Sequence, residues 1–227
     1  EPRGTALAQA GAPVMLEKLV VMVEEPSMEA ALERLLPTML GDVAFQIIRF
    51  QCKDDLLKKA PERLKGYAAW LPETWRILVL VDRDDDDCMV LKAQLENMAA
   101  EARLLTKTAA GAGQQFQVVN RIAIEELEAW FFGDWDAVRA AYPRVPPSQP
   151  SKSGFRAPDA IAGGTWEAME RVLKLAGYFS TGLRKVEFAR TVAAHMAPHR
   201  NRSGSFQAFA GAIAASLGQE NSCASPH

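Results

Sequence analysis

The stretch Ile77-Leu78-Val79-Leu80-Val81-Asp82-Arg83-Asp84-Asp85-Asp86-Asp87 joins five uninterrupted apolar residues to a run in which five of six positions are carboxylates. The apolar half predicts a strand covered on both faces, because a strand with one wet face alternates in polarity. The acidic half marks the carboxyl end of that strand, the edge at which open α/β sheets carry their ligands. Successive carboxylates repel one another, and Asp82, following a buried strand directly, needs a partner. A divalent cation answers both requirements. Hard oxygen donors of this kind suit Mg²⁺, Mn²⁺ or Ca²⁺ rather than zinc. An EF-hand loop is excluded, since Asp87 stands where that loop needs glycine and Ala93 where it needs a bidentate glutamate. Asp82 and Asp84 are thus candidate metal ligands, whereas Asp85 and Asp87 also read as acids that meet the dipole of a following helix.

The same grammar extends in both directions. Leu19 to Val23 is another apolar strand, Ala44 to Phe50 a third and Phe116 to Ile124 a fourth. Helical spacing runs from an N-cap at Ser27, over Leu56 to Trp70 with an interruption near Pro61, and over Met89 to Ala102. A further helix is expected over Glu125 to Tyr142, its Trp130, Phe131, Phe132 and Trp135 read as core. Strands that alternate with helices predict an α/β fold with a largely parallel sheet and helices on both faces. Five prolines between Pro143 and Pro158 predict a long loop over 143–165, a linker or a mobile flap. Helices over Trp166 to Gly177, Val186 to Met196 and Phe206 to Leu217 then form a helical C-terminal portion, 166–217. Residues 1–14 lack periodicity and read as a disordered extension, native or added, ahead of a start at Met15; residues 218–227 read as a frayed tail.

Two more acidic groups belong with Asp82. The first strand ends in Glu24-Glu25, followed by Pro26-Ser27-Met28-Glu29, so two parallel strands deliver acids to one sheet edge. The helix after the fourth strand opens with Glu125, Glu126 and Glu128, of which Glu125 and Glu128 share a helical face. From Gly177 to Phe206 the sign reverses: Arg184, Lys185, Arg190, Arg200 and Arg202 stand against Glu187 alone. Phosphate asks for both blocks, cations bridging its oxygens while arginine and lysine hold the backbone. The alternative is an arm that merely neutralises the acidic cup.

Strand, glutamate, helix, then a strand ending in Asp-x-Asp resembles the TOPRIM fold of topoisomerases, primases and small nucleases. With Glu126-Leu127-Glu128-Ala129-Trp130 added, the chain from about Met15 to Leu217 is similar to a small bacterial TOPRIM-like family of unknown function, related to the overcoming-lysogenisation-defect nucleases. That resemblance implies a TOPRIM-like catalytic core over 15–142 and metal ligation by Glu24, Asp82 and Asp84. Glu24 would complete the metal site or act as general base. Glu25 stands where the pattern has glycine and Met28 where it has an acid, so Glu29, one residue late, or a register that starts from Glu25 would supply the second acid. Glu128 would supply part of a second metal site. Lys185 resembles, by its order in the chain, a late lysine that assists the reacting phosphate. The implied activity is Mg²⁺- or Mn²⁺-dependent hydrolysis of phosphodiester bonds in nucleic acid, with Arg184, Arg200 and Arg202 on the backbone and a separate ATPase subunit as possible partner in bacterial defence. The rival is a non-catalytic partner-binding protein with a structural cation in the acidic cup.

Composition excludes other classes. The 227 residues are 48% hydrophobic and 24% charged with a formal net charge of −2, which argues against wholesale disorder and against a uniformly basic nucleic-acid glove. No apolar run approaches the roughly 18 residues of a bilayer span. Cys52, Cys88 and Cys223 are odd in number and lack the spacing of a disulfide framework or a zinc site, so reduced thiols in a cytoplasmic protein are expected. There is no Walker-type loop, so no P-loop ATPase is expected within these residues.

Overall fold

The computed structural model describes residues 15–111 and 113–219. The expected extension over 1–14, most of the expected tail, and Cys223 lie outside those residues. Four strands, β1 (Lys18–Val23), β2 (Ala44–Arg49), β3 (Trp75–Asp82) and β4 (Val118–Ala123), form one parallel sheet in the order β2-β1-β3-β4. The connecting helices are α1 (Pro26–Leu40), α2 (Lys53–Ala68), α3 (Cys88–Glu101) and the short α4 (Lys107–Ala110). After β4 come α5 (Glu128–Gly133), α6 (Trp135–Ala141), α7 (Thr165–Leu175), α8 (Lys185–Ala193) and α9 (Gly204–Ser216). No helix among the described residues is long and apolar enough to cross a membrane.

Strand alternation divides the core into two layers. Leu19, Val21, Val23, Leu78, Leu80 and Val119 face α1 and the helices from α5 to α9. Val20, Met22, Ile77, Val79, Val81 and Val118 face α2 and α3. These strand side chains are fully buried, each contributing about 1.5–3 kcal/mol of transfer free energy. Both faces being covered is what the uninterrupted apolar runs anticipate.

Several local expectations are revised. Helix α2 runs unbroken through Pro61, since Leu56, Ala60, Leu64 and Tyr67 bury one continuous stripe that outweighs the lost hydrogen bond. Helix α1 is capped from Glu25 rather than Ser27, because Pro26 takes the first helical position, where its fixed φ is favourable. The single helix expected over 125–142 is two. Asp134 leaves helical geometry at φ −120°, ψ 70° and caps α6 by accepting from Ala137 N at 3.3 Å.

The proline-rich segment is not a free linker. It forms three 3₁₀ turns, Gln149–Ser151, Ser153–Phe155 and Pro158–Ala160, with Gln149, Pro158 and Ile161 buried. Asp159 accepts from Ser203 Oγ at 2.6 Å, Ser205 N at 3.0 Å and Ser205 Oγ at 3.1 Å, which clasps the segment to the start of α9. Nor does the C-terminal portion stand apart. Helix α8 packs along α1 and α9 along β4, with Phe206 and Phe209 at 5.1 and 4.9 Å from Trp130 and Phe188 at 5.2 Å from Phe131.

A carboxylate-lined candidate site at the sheet edge

Because the strands are parallel and Val23 pairs with Leu80, β1 and β3 deliver their following acids to one edge. Glu24 and Asp82 are each 5% exposed there, and Glu24 accepts a hydrogen bond from Asp82 N. Strand β4 ends opposite Asp82, and its chain continues into α5, whose first residue, Glu128, is 1% exposed. Asp82 Oδ1 and Glu128 Oε1 have no hydrogen-bond partner among the described residues. A buried carboxylate oxygen without a donor is costly, so these two atoms define what the site lacks.

The electrostatics follow. Burial pushes Glu24 up to about 7, opposed by the Asp82 N–H and Lys53 and reinforced by Asp84 and Glu25. Burial also pushes Glu128 up to about 8; Lys185 opposes this, and Glu25 and Glu126 add to it. Asp82 is held well above the ordinary aspartate value by burial, then by Glu25, Glu24, Glu128 and Asp84. Burial alone would lower the Lys185 ammonium, but Glu128, Glu25, Glu126 and Asp82 together keep it above its ordinary value. Its Nζ rests 4.7 Å from the Trp166 ring centroid. Six acids and two lysines thus share one neighbourhood.

The candidates from sequence divide clearly. Glu24, Asp82, Glu128 and Lys185 come together, with Asp84 at the rim. Glu29 does not join them; its carboxylate pairs with Arg49 at 2.8 Å, beside the end of edge strand β2. Arg184 points outward, 70% exposed, paired with Glu187 at 3.0 Å. Arg200 turns inward to Asp134 at 2.6 Å, and Arg202 is exposed. The basic arm therefore supplies one lysine to the cup rather than a continuous face.

One participant, Lys53, escaped the sequence reading, and three acids named there are engaged in ways it did not give. Glu126 accepts from Thr165 Oγ1 and Trp166 N, both at 3.0 Å, and so ties the start of α7 to the site. Glu125, expected to share a helical face with Glu128, pairs instead with Arg83, because the helix does not begin until Glu128. Glu25 touches the charges of Asp82, Glu128 and Lys185 alike. Lys53, at the start of α2, binds Asp84 and Asp86, both at 2.7 Å. A lysine opening a helix after a different strand carries no local signal.

The orphaned oxygens and the all-carboxylate donor set fit a hard cation, with Asp82, Glu24 and Glu128 as holders. Among the described residues, no three acids, histidines or cysteines converge closely enough to hold an ion as they stand. Glu24 is drawn to the Asp82 N–H and Asp84 to Lys53, so a cation would be held by them only if those two side chains turned. Against known proteins, the family model for the Domain of unknown function (DUF4276) matches residues 23–214. No curated protein and no solved structure matches.

Proposed function

The chain belongs to the DUF4276 family, and we propose that its sheet-edge site is a Mg²⁺- or Mn²⁺-dependent phosphodiesterase centre acting on nucleic acid, on a TOPRIM-like core related to the overcoming-lysogenisation-defect nucleases. The observation that carries this reading is the pair of buried, partnerless oxygens, Asp82 Oδ1 and Glu128 Oε1, facing a half-buried lysine. Native structures leave few such atoms bare.

When bound, the cation supplies Lewis-acid polarisation of a phosphate oxygen. Asp82 and Glu128 would hold it, with Asp84 beside them at the rim. Glu24, raised to about 7, has the basicity of a group that takes a proton from an attacking water near neutral pH. Lys185, fixed between Trp166 and the acids, offsets charge that grows on the phosphoryl oxygens. A separate ATPase partner in bacterial defence is part of the proposal, by analogy with the nucleases that the sequence resembles.

The test is direct. Mn²⁺ should raise the melting temperature of the wild-type chain by mass action on the native state, and Asp82→Ala should abolish the rise. With Mn²⁺ the protein should nick plasmid or degrade single-stranded nucleic acid, and Glu24→Gln should reduce the rate at least about a hundredfold. Cleavage that survives Glu24→Gln and Asp82→Asn together would refute the mechanism. A Mn²⁺-dependent melting shift with no cleavage, alone or beside an ATPase, would favour a structural cation in a partner-binding protein.

A further inference from the structure

The ammonium of Lys53 sits among four oxygens of the β3–α3 connection. It lies 3.0 Å from Asp82 O, 3.1 Å from Arg83 O, and 2.7 Å from both Asp84 Oδ2 and Asp86 Oδ2. The lysine side chain is only 13% exposed. Two carbonyls and two carboxylates that converge on one positive centre are the donors a hard metal ion takes, and here an ammonium has them. With three N–H groups for four acceptors, the ammonium is fully engaged. Burial alone would lower its pKa, but Asp84 and Asp86 hold it above the ordinary lysine value, so it stays charged.

The placement has a consequence for Asp84. This residue has φ +49°, its N–H donates to Glu125 O at 2.9 Å, and its carboxylate faces Lys53. The acids of the site do not close around a common point as they stand, and of the two carboxylates held aside, Glu24 by the Asp82 N–H and Asp84 by Lys53, the second is in the lysine's grip. We propose that Lys53 is a tethered counter-ion that competes with the metal for Asp84: the ammonium organises the acidic loop when no metal is bound, and cation binding at Asp82 and Asp84 releases it. The proposal rests on the metal-binding reading above and adds a residue that sets how tightly, and with what rearrangement, the metal enters. Lys53 acts on the site through Asp84 and is a positioning residue.

The physical reason is charge balance within a small volume. Asp82 and Asp84 to Asp87 put five carboxyl groups in six residues, and the loop needs a cation to hold its shape. A dication meets that need at shorter distances, about 2.0–2.6 Å, and repels an ammonium that shares its carboxylate. Occupancy by one therefore weakens the other.

The experiment measures Mn²⁺ binding by the loss of the free-ion electron paramagnetic resonance signal, in wild type, Lys53→Met and Lys185→Met. Removing Lys53 should tighten Mn²⁺ binding about tenfold and lower the metal-free melting temperature, with added Mn²⁺ recovering it. Lys185→Met, which removes an equal charge from beside Glu128 and Asp82 and not from Asp84, should tighten binding distinctly less. On the wild-type protein, the ¹⁵N ammonium resonance of Lys53 should be visible without metal and move saturably as Mg²⁺ is added; this decides the matter if Lys53→Met does not fold. Equal Mn²⁺ affinity in wild type and Lys53→Met, or equal tightening in both lysine variants, would overturn the competition while leaving the metal site standing. Weaker binding in Lys53→Met would do the same, showing support in place of competition. Failure of all three proteins to bind Mn²⁺, with an unmoved Lys53 resonance, would overturn both the competition and the metal site.

Discussion

Glu128 and Glu24 are acids that folding moves out of water without supplying an equivalent partner, and the consequence is a stability that depends on pH in a definite direction. Their folded pKa values, about 8 and about 7, lie above the ordinary 4.5. The folded state thus holds more protons than the unfolded one, so stability is full below about pH 4.5 and is lost as pH rises toward 8. The metal-free protein should accordingly melt at progressively lower temperature from pH 5 to pH 8. Glu128→Gln, which keeps the shape and removes the buried charge, should flatten that decline and raise the melting temperature at pH 8. The same substitution should shrink the Mn²⁺-induced rise. A destabilised Glu128→Gln at pH 8 would mean that Lys185 already satisfies the carboxylate. Scanning calorimetry over the pH series, with and without Mn²⁺, measures both slopes.

Among the elements, the proline-rich segment and the turn before α9 are where polar contacts decide the packing. Asp159 receives two hydroxyls and one backbone N–H from Ser203 and Ser205, and Ser205 Oγ also accepts from Trp130 Nε1 at 3.1 Å. Asp159→Ala should lower stability by about 2–4 kcal/mol, at about 1–3 kcal/mol for a buried group left unpaired. It should also speed proteolysis within 144–164, because the clasp is what fastens that stretch. Urea unfolding and limited digestion read the two effects. Arg200 belongs to the same turn. It donates to Asp134, which is 2% exposed and also accepts from Ala197 N at 2.8 Å. Arg200→Ala should therefore cost about 1–3 kcal/mol, whereas Arg202→Ala, at an exposed position, should change stability by no more than about 0.5 kcal/mol. If binding to nucleic acid weakens with salt, Arg202→Ala is the variant that should flatten the slope, by about 0.7–0.9 for one phosphate contact. A flattened slope with unaltered stability in Arg200→Ala would return that residue to the phosphate-binding role.

Across the whole molecule, the helices after residue 143 complete one of the two layers that cover the sheet. Phe188, Val192, Phe206, Phe209 and Ile213 are buried in the same cluster as Val21, Val23, Leu80 and Val119. Residues 15–142 alone would leave the part of that face beneath α7 to α9 open to water, and an exposed apolar patch of that kind favours aggregation. The full chain should unfold in one cooperative transition, and a chain ending at residue 142 should fail to give one. Lys185 adds a functional reason for the same unity, since the C-terminal portion delivers the lysine that faces Glu128.

The element order was legible in the chain because its signals are local. Buried parallel strands read as unbroken apolar runs, as at Ile77 to Val81, and acids directly after Val23 and Val81 mark the edge where two such strands end. That is why Glu24 and Asp82 could be placed at one edge beforehand, whereas Glu128 was named from a helical face shared with Glu125 that does not form. Helix limits were less legible. The break at Asp134 and the unbroken run through Pro61 depend on caps and packing that neighbouring elements provide. Where each charge points was not legible at all. Glu29 and Arg49, Arg200 and Asp134, and Lys53 and Asp84 are 20, 66 and 31 residues apart, and nothing at either position announces the other. Composition alone made Arg200 look like part of a phosphate-binding arm and left Lys53 unnoticed. A strand's burial is written into its own consecutive residues, but a side chain's partner is chosen by whichever groups the fold brings within about 4 Å of it, and only the tertiary structure decides that.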